Sequence, residues 1–291
     1  MNSSFRLLKK HFQLDPKYSY LNHGSFGACP HPIFNEREKF QKEIEFQPVS
    51  FVESRALELL DWSRDALSSY LHCNKDDVVY FPNPTTAMNM VIRSLDLNPG
   101  DEVLTSNHEY GAVERTWKFV SQKKGFSYNS IDIPLPFDKQ DFVNRIRDGI
   151  TSKTKVIFLS HITSPTAIIF PIAEICKLAK ERNIMTIIDG AHAPAQIDLN
   201  LDKLGADIYT GACHKWMLCP KGVAFLYASK KIQDKLEPLV VSWGWESDTP
   251  SHSQFLDYHQ YQGTNDVSAY LALSLIHISE PTRPERISYA V

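Results

Sequence analysis

Between Val78 and Tyr227 short apolar runs alternate with longer stretches of helical spacing, and this alternation limits the possible folds more than any other feature. Val78–Phe81, Glu102–Ser106, Phe126–Ile133, Lys155–Ser160, the run from Ile184 to Asp189, Ala206–Gly211 and Val223–Tyr227 read as strands. Ala87–Leu95, the stretch carrying Val113, Trp117 and Val120, Asp138–Ile150 and Ile172–Glu181 read as helices between them. Strands that are apolar throughout, separated by helices, describe a sheet covered on both faces. The expected class is therefore α/β, a three-layer αβα arrangement around a mostly parallel mixed sheet.

Several predicted strands end on a polar cluster. Asn83-Pro84-Thr85-Thr86 follows the first and Asn107-His108-Glu109-Tyr110 the second. His161–Pro165, Asp189–His192 and Cys213-His214-Lys215 follow three later ones. In an open α/β sheet the carboxyl ends of the strands form the edge where ligands bind. Asp189 and Lys215 place one acceptor and one amine over that edge, a pair suited to protonating a ring nitrogen and capturing an aldehyde. Asn83 suits a helix N-cap and Pro84 the first helical position, so the free N–H groups and the hydroxyls of Thr85 and Thr86 form a possible phosphate cradle. Many helices start this way without binding anything. Tyr110 either stacks on a flat ligand or caps the core, and core capping is the expectation from composition.

Before the alternation, residues 16–32 are rich in Gly, Pro, Asn and His and read as a loop. Asn22, His23 and Gly24 belong either to an arm lying on the protein body or to a substrate pocket. Ile33 to Leu71 is helical in spacing, and Pro48 divides it into two helices. With 31 Lys plus Arg against 34 Asp plus Glu, the net charge of −3 gives no reason to expect nucleic acid or an anionic membrane as partner. Five scattered cysteines without a C-x-x-C pair argue against a disulfide framework or structural zinc and for a reducing, cytoplasmic setting. The N-terminus lacks the apolar core of a signal peptide, though its basic, amphipathic character leaves a mitochondrial presequence open.

In combination these motifs resemble the class V aminotransferase branch of fold-type I pyridoxal-phosphate enzymes, and within it the isopenicillin N epimerase-like group with its cysteine desulfurase and carbon–sulfur lyase relatives. The resemblance runs from about Tyr20 to Leu273 and rests on YLNHGSFGACP, NPTTAMN, HEYGAV, SHITSPT, DGAHAPAQ, YTGACHKW followed by PKG, and QGTNDVSAYLAL. It implies pyridoxal 5'-phosphate as cofactor, with Lys215 as its Schiff-base lysine and the base at the substrate α-carbon. Asp189 would pair with the pyridine nitrogen and His192 with the phenolic oxygen; Tyr110 replaces the histidine that desulfurases stack on the ring. Thr85, Thr86, Ser164 and His214 fall at cofactor-binding positions, and Ala212 stands where many relatives have a phosphate-binding serine. Thr264, after Gly263, matches a segment that reaches the neighbouring subunit's phosphate, which implies a homodimer with shared sites. Asn22 and His23 become substrate contacts, and the substrate an amino acid.

The same resemblance divides the chain into an arm (1–32), a cofactor-binding large domain (33–273) and a tail (274–291) unlike the family, as in a truncated gene model whose C-terminal small domain is missing. Elimination at a carbon–sulfur bond, epimerisation and transamination share the first step, loss of the Cα proton; a lyase is the leading expectation. Desulfurases place their nucleophilic cysteine beyond Leu273, so packing is the expected role of Cys213 and Cys219. A metal-dependent hydrolase built on His108, His161, Asp189, His192 and His214 is a competing reading, although no H-x-H or H-E-x-x-H spacing supports it. An inactive truncated product is another.

Overall fold

The structure is a computed structural model that describes residues 9–275; most of the 274–291 tail lies outside the described residues. Its centre is a seven-stranded sheet: β1 (Val78–Phe81), β2 (Glu102–Ser106), β3 (Ser127–Ile131), β4 (Thr154–Ser160), β5 (Met185–Asp189), β6 (Ile208–Ala212) and β7 (Ala224–Ala228). The order across the sheet is β1-β7-β6-β5-β4-β2-β3. β7 runs antiparallel to both its neighbours, and every other pairing is parallel. The carboxyl ends of the remaining six strands therefore share one edge.

Alternate residues of each strand enter different cores, as a period of two requires. Val78, Tyr80, Leu104, Ile157, Leu159 and Ile188 belong to one. Val79, Phe81, Val103, Val156, Phe158 and Ile187 belong to the other. The first face is covered by α1 (His31–Phe46), α2 (Ala56–Leu71), α5 (Lys139–Gly149) and α6 (Ile172–Glu181). The second is covered by α3 (Pro84–Ser94), α4 (Gly111–Lys124) and α7 (Gln254–Gln260). Two apolar faces buried under two helical layers give the expected three-layer fold.

Pro48 does break the first helical stretch: Gln47 leaves the helical region at φ −149° and ψ 78°, as a residue before proline tends to. Pro48–Ser50 and a π-helical turn, Phe51–Arg55, then lead into α2. The third strand is shorter than its apolar pattern suggests. Phe126 and Ile133 are buried outside the ladder, and the Ile133 N–H goes to Asn107 Oδ1 instead. After β7 the expected helix is a single turn, Lys230–Gln233, with Leu236 buried just beyond it. No helix among the described residues is long and apolar enough to cross a membrane. Cys213 and Cys219 are free and fully buried, in keeping with a packing role.

Candidate active site

Strand pairing brings the polar clusters together. Asp189, the last residue of β5, is in register with Ser160 of β4 and Thr210 of β6. Gly190 follows because the chain there passes the Tyr209 ring, where an added Cβ would lie 2.2 Å from ring atoms. β6 ends at Ala212 and delivers His214 and Lys215 beside the Asp189 turn. A cavity of about 560 Å³ opens over this edge, within the range of small-molecule sites. Asp189, His192, His214 and Lys215 line its floor side, and Thr85, Tyr110, Ser164 and Asn22 also line it. Eight of the residues singled out from the sequence thus face one space.

The floor has a defined proton arrangement. Trp216 Nε1–H can only donate, and it points at His192 Nδ1 at 3.4 Å. The proton of a neutral His192 ring then sits on Nε2, which faces Lys215 Nζ at 3.0 Å. That contact is satisfied when the lysine amine is unprotonated and accepts. Burial acts in the same direction, holding the Lys215 amine below its ordinary range against the pull of Asp189. Burial, helped by Lys215, lowers His192 to about 4. Asp189 is 3% exposed, and burial raises its carboxyl while the Ala191 N–H (2.9 Å) and Lys215 oppose that rise. A buried acid and a desolvated amine thus share the floor of one cavity.

Tyr110 corrects one expectation. It is 43% exposed and does not cap the core; its ring centroid lies 6.0 Å from Lys215 Nζ, on the cavity wall. Thr85 lies at the start of α3, an eleven-residue helix whose cap is Asn83. That cap consumes Thr86: Asn83 Oδ1 accepts from the Thr86 N–H at 2.8 Å and from its hydroxyl at 3.0 Å, so Thr86 does not line the cavity. His23 also stands apart, its Nδ1 accepting from the Ala28 N–H at 3.3 Å and its ring edge-on to Tyr20. Thr264 is exposed on a loop lining a second cavity of about 270 Å³. His214 donates through Nδ1 to the Val223 carbonyl at 3.0 Å, so Nε2 can donate to an anion only from a protonated ring.

Residues of the arm close one side. The Gly27 N–H donates to the His214 carbonyl at 2.9 Å, and Lys221 Nζ donates to the Gly27 carbonyl. A Cβ on Gly27 would sit 2.0 Å from the Lys215 carbonyl oxygen. We expect Gly27→Ala to lift the arm, costing about 1–3 kcal/mol as overpacking does. Limited proteolysis should then cut the arm faster than in the wild type; equal cutting rates would show that the arm tolerates the methyl group.

Trp216, Phe26 and Gln196 also line the cavity and were given no role from the sequence, and Glu109, read only as part of a polar cluster, bonds Ser160. Trp216 and Gln196 sat inside the CHKW and DGAHAPAQ motifs, which was their only signal. The histidines required by a metal-dependent hydrolase do not converge. His108 is held by the Ile133 carbonyl and Thr166, and His161 by Tyr209. Among the described residues no group of three His, Cys, Asp or Glu could hold a metal ion.

Fold and site together define an α/β protein with a cavity over the carboxyl edge of its sheet, lined by an amine, an acid and the start of a helix. A sequence profile of the class-V aminotransferases matches residues 29–276, and the chain belongs to that family, whose enzymes depend on pyridoxal 5'-phosphate. It is 32% identical over 270 residues to the isopenicillin N epimerase of Streptomyces clavuligerus, covering 89% of this chain and 68% of that protein. It is 27% identical over 239 residues to the hercynylcysteine sulfoxide lyase of Schizosaccharomyces pombe, covering 82% and 61%. Among solved structures it resembles C-DES with glycine covalently linked to its pyridoxal-phosphate cofactor (TM-score 0.84, 20% identity, covering 94% and 74%). It also resembles the cystine C–S lyase C-DES with its product cysteine persulfide (TM-score 0.82, 22% identity, covering 90% and 72%).

The donor set fits the cofactor. The start of α3 and His214 suit a phosphate, Asp189 a protonated ring nitrogen, His192 a phenolic oxygen, Tyr110 a ring face, and Lys215 an aldehyde carbon.

Proposed function

We propose that the chain acts on an amino acid by removing its Cα proton and breaking a carbon–sulfur bond at its β-carbon. The observation that carries this reading is the Lys215 amine, lowered by burial and held 3.0 Å from His192 Nε2 inside the cavity that Asp189 lines. Bound there, pyridoxal 5'-phosphate would supply a carbonyl that takes the substrate's amine and a ring that draws electrons from Cα. Lys215 then removes the Cα proton, and its partner His192 keeps the amine oriented. Asp189 holds a proton on the ring nitrogen. Asn22 and Ser164 remain as polar contacts for the substrate, with Phe26 at the cavity wall beside them.

Elimination is preferred over epimerisation because the described cavity lining has one amine base, Lys215. A single base can take the Cα proton and return it to the departing sulfur, whereas epimerisation must deliver a proton to the opposite face. The hercynylcysteine sulfoxide lyase and the cystine C–S lyase among the relatives agree with this choice. The greater identity to isopenicillin N epimerase favours the second reading, an epimerase. Incubation of the full chain and cofactor with L-cysteine, S-alkylcysteines and their sulfoxides should release pyruvate and ammonia together with hydrogen sulfide, a thiol or a sulfenic acid respectively. Change of Cα configuration without pyruvate would select the epimerase.

The same proposal makes residues 33–273 the cofactor-binding unit, residues 1–32 the arm over it, and the protein a homodimer. Thr264, exposed and not among the residues lining the Lys215 cavity, would reach the neighbouring subunit's phosphate. A purely monomeric sedimentation profile in the presence of cofactor would remove the dimer.

A further inference from the structure

The hydrogen-bonded ladder between β2 and β4 stops just where the site begins. Their parallel ladder pairs Val103 with Val156 and Leu104 with Ile157 and goes no further, although β2 runs on to Ser106 and β4 to Ser160. The gap is bridged by a side chain. Glu109 Oε2 accepts from the Ser160 N–H at 2.7 Å and from the Ser160 hydroxyl at 2.6 Å. Its other oxygen, Oε1, accepts from the Ser106 hydroxyl at 2.6 Å. The Ser106 oxygen in turn accepts from the His108 N–H at 3.2 Å, which closes the loop between β2 and Glu109.

Two site residues hang on this bridge. Tyr110 is the next residue and the N-terminal boundary of α4; its ring is half-exposed, so its position depends on its backbone. Ser160 is the register partner of Asp189, and the following His161 N–H donates to the Asp189 carbonyl at 2.8 Å. We infer that Glu109 is a positioning residue, a clip across the unladdered ends of β2 and β4 that sets Tyr110 and Asp189 at a fixed separation on either side of the cofactor. The cofactor half of this inference rests on the function proposed above; the clip itself does not. Burial lifts the Glu109 carboxyl to about 7, against the serine hydrogen bonds that favour its charged form. A glutamine can reproduce the clip, with its oxygen accepting from Ser160 and its amide donating to Ser106.

The test uses the full chain as wild type, Glu109→Ala, Glu109→Gln, Tyr110→Ala and the Glu109→Ala/Tyr110→Ala double variant. Hydrogen exchange is first measured without cofactor, with the β6–β7 amides as an internal reference. Glu109→Ala should speed exchange at Ser160 and across residues 107–113 by about tenfold or more, and Glu109→Gln by less than about threefold. Unchanged exchange in Glu109→Ala would overturn the clip. Pyridoxal 5'-phosphate is then titrated by quenching of tryptophan fluorescence. Glu109→Ala should weaken binding by about tenfold alone but by less than about threefold in the Tyr110→Ala background, because coupled neighbours are not additive. A full tenfold loss in both backgrounds would overturn positioning through Tyr110. If the wild type itself fails to bind, the proposed function falls, and the exchange result still decides the clip.

Discussion

Lys215→Ala is expected to reduce turnover by roughly 10³–10⁴-fold, since it removes both the covalent anchor and the base. The loss should be chemical and not structural. The Lys215 side chain touches His192 and faces Asp189 and the Tyr110 ring, whereas the arm docks through Gly27 on the His214 carbonyl, which the substitution leaves in place. Removing a desolvated amine relieves a cost, so the melting temperature of the cofactor-free variant should equal or exceed the wild-type value. Exchange of the substrate Cα hydrogen into heavy water measures the first step directly. A variant retaining more than about a tenth of the wild-type exchange rate would show that another group is the base. The pH dependence follows from the same burial: rate is lost as pH falls through the lowered lysine value, because the amine becomes protonated.

Asp189→Asn has the next largest effect, and it divides activity from stability. Asparagine fills the same space and can still accept the Ala191 N–H, but it has no charge with which to hold a proton on a ring nitrogen. Loss of such a buried, oriented charge costs about 10²–10³ in turnover. Stability changes the other way. Burial raises the Asp189 carboxyl in the folded protein, so its contribution is present below the unfolded value of 3.8 and is lost as pH rises through the folded one. The asparagine variant escapes that loss. Calorimetry of the cofactor-free chain should find it at least as stable as wild type at pH 8, with the advantage shrinking toward pH 4. A variant that is less stable at pH 8 would mean that the attraction to Lys215 outweighs burial.

The layering was legible because buried parallel strands are apolar on both faces, and Val78–Phe81 and Glu102–Ser106 carried their boundaries in the sequence. The Asn83 cap was legible for a local reason, the bond from its side chain to the Thr86 N–H. That bond also explains why Thr86 does not line the cavity: sequence adjacency to Thr85 suggested a shared role, but one cap uses both Thr86 donors. Tyr110 was misjudged from composition because tyrosine exposure depends on what lies across the strand ends. Glu109 was legible only as a member of a polar cluster, without a role. Its partner Ser160 is 51 residues away, and only the packing of β2 beside β4 brings them together. The meaning of Trp216 likewise depended on a ring, His192, 24 residues distant in sequence.

The most direct measurement is borohydride reduction of the full chain incubated with pyridoxal 5'-phosphate, followed by peptide mapping of the fixed label. A desolvated lysine lining the cavity beside Asp189 requires the label on Lys215, with the visible absorption band lost on reduction and absent from Lys215→Ala. A label spread over surface lysines, or a band that persists in Lys215→Ala, would contradict the assignment of this site.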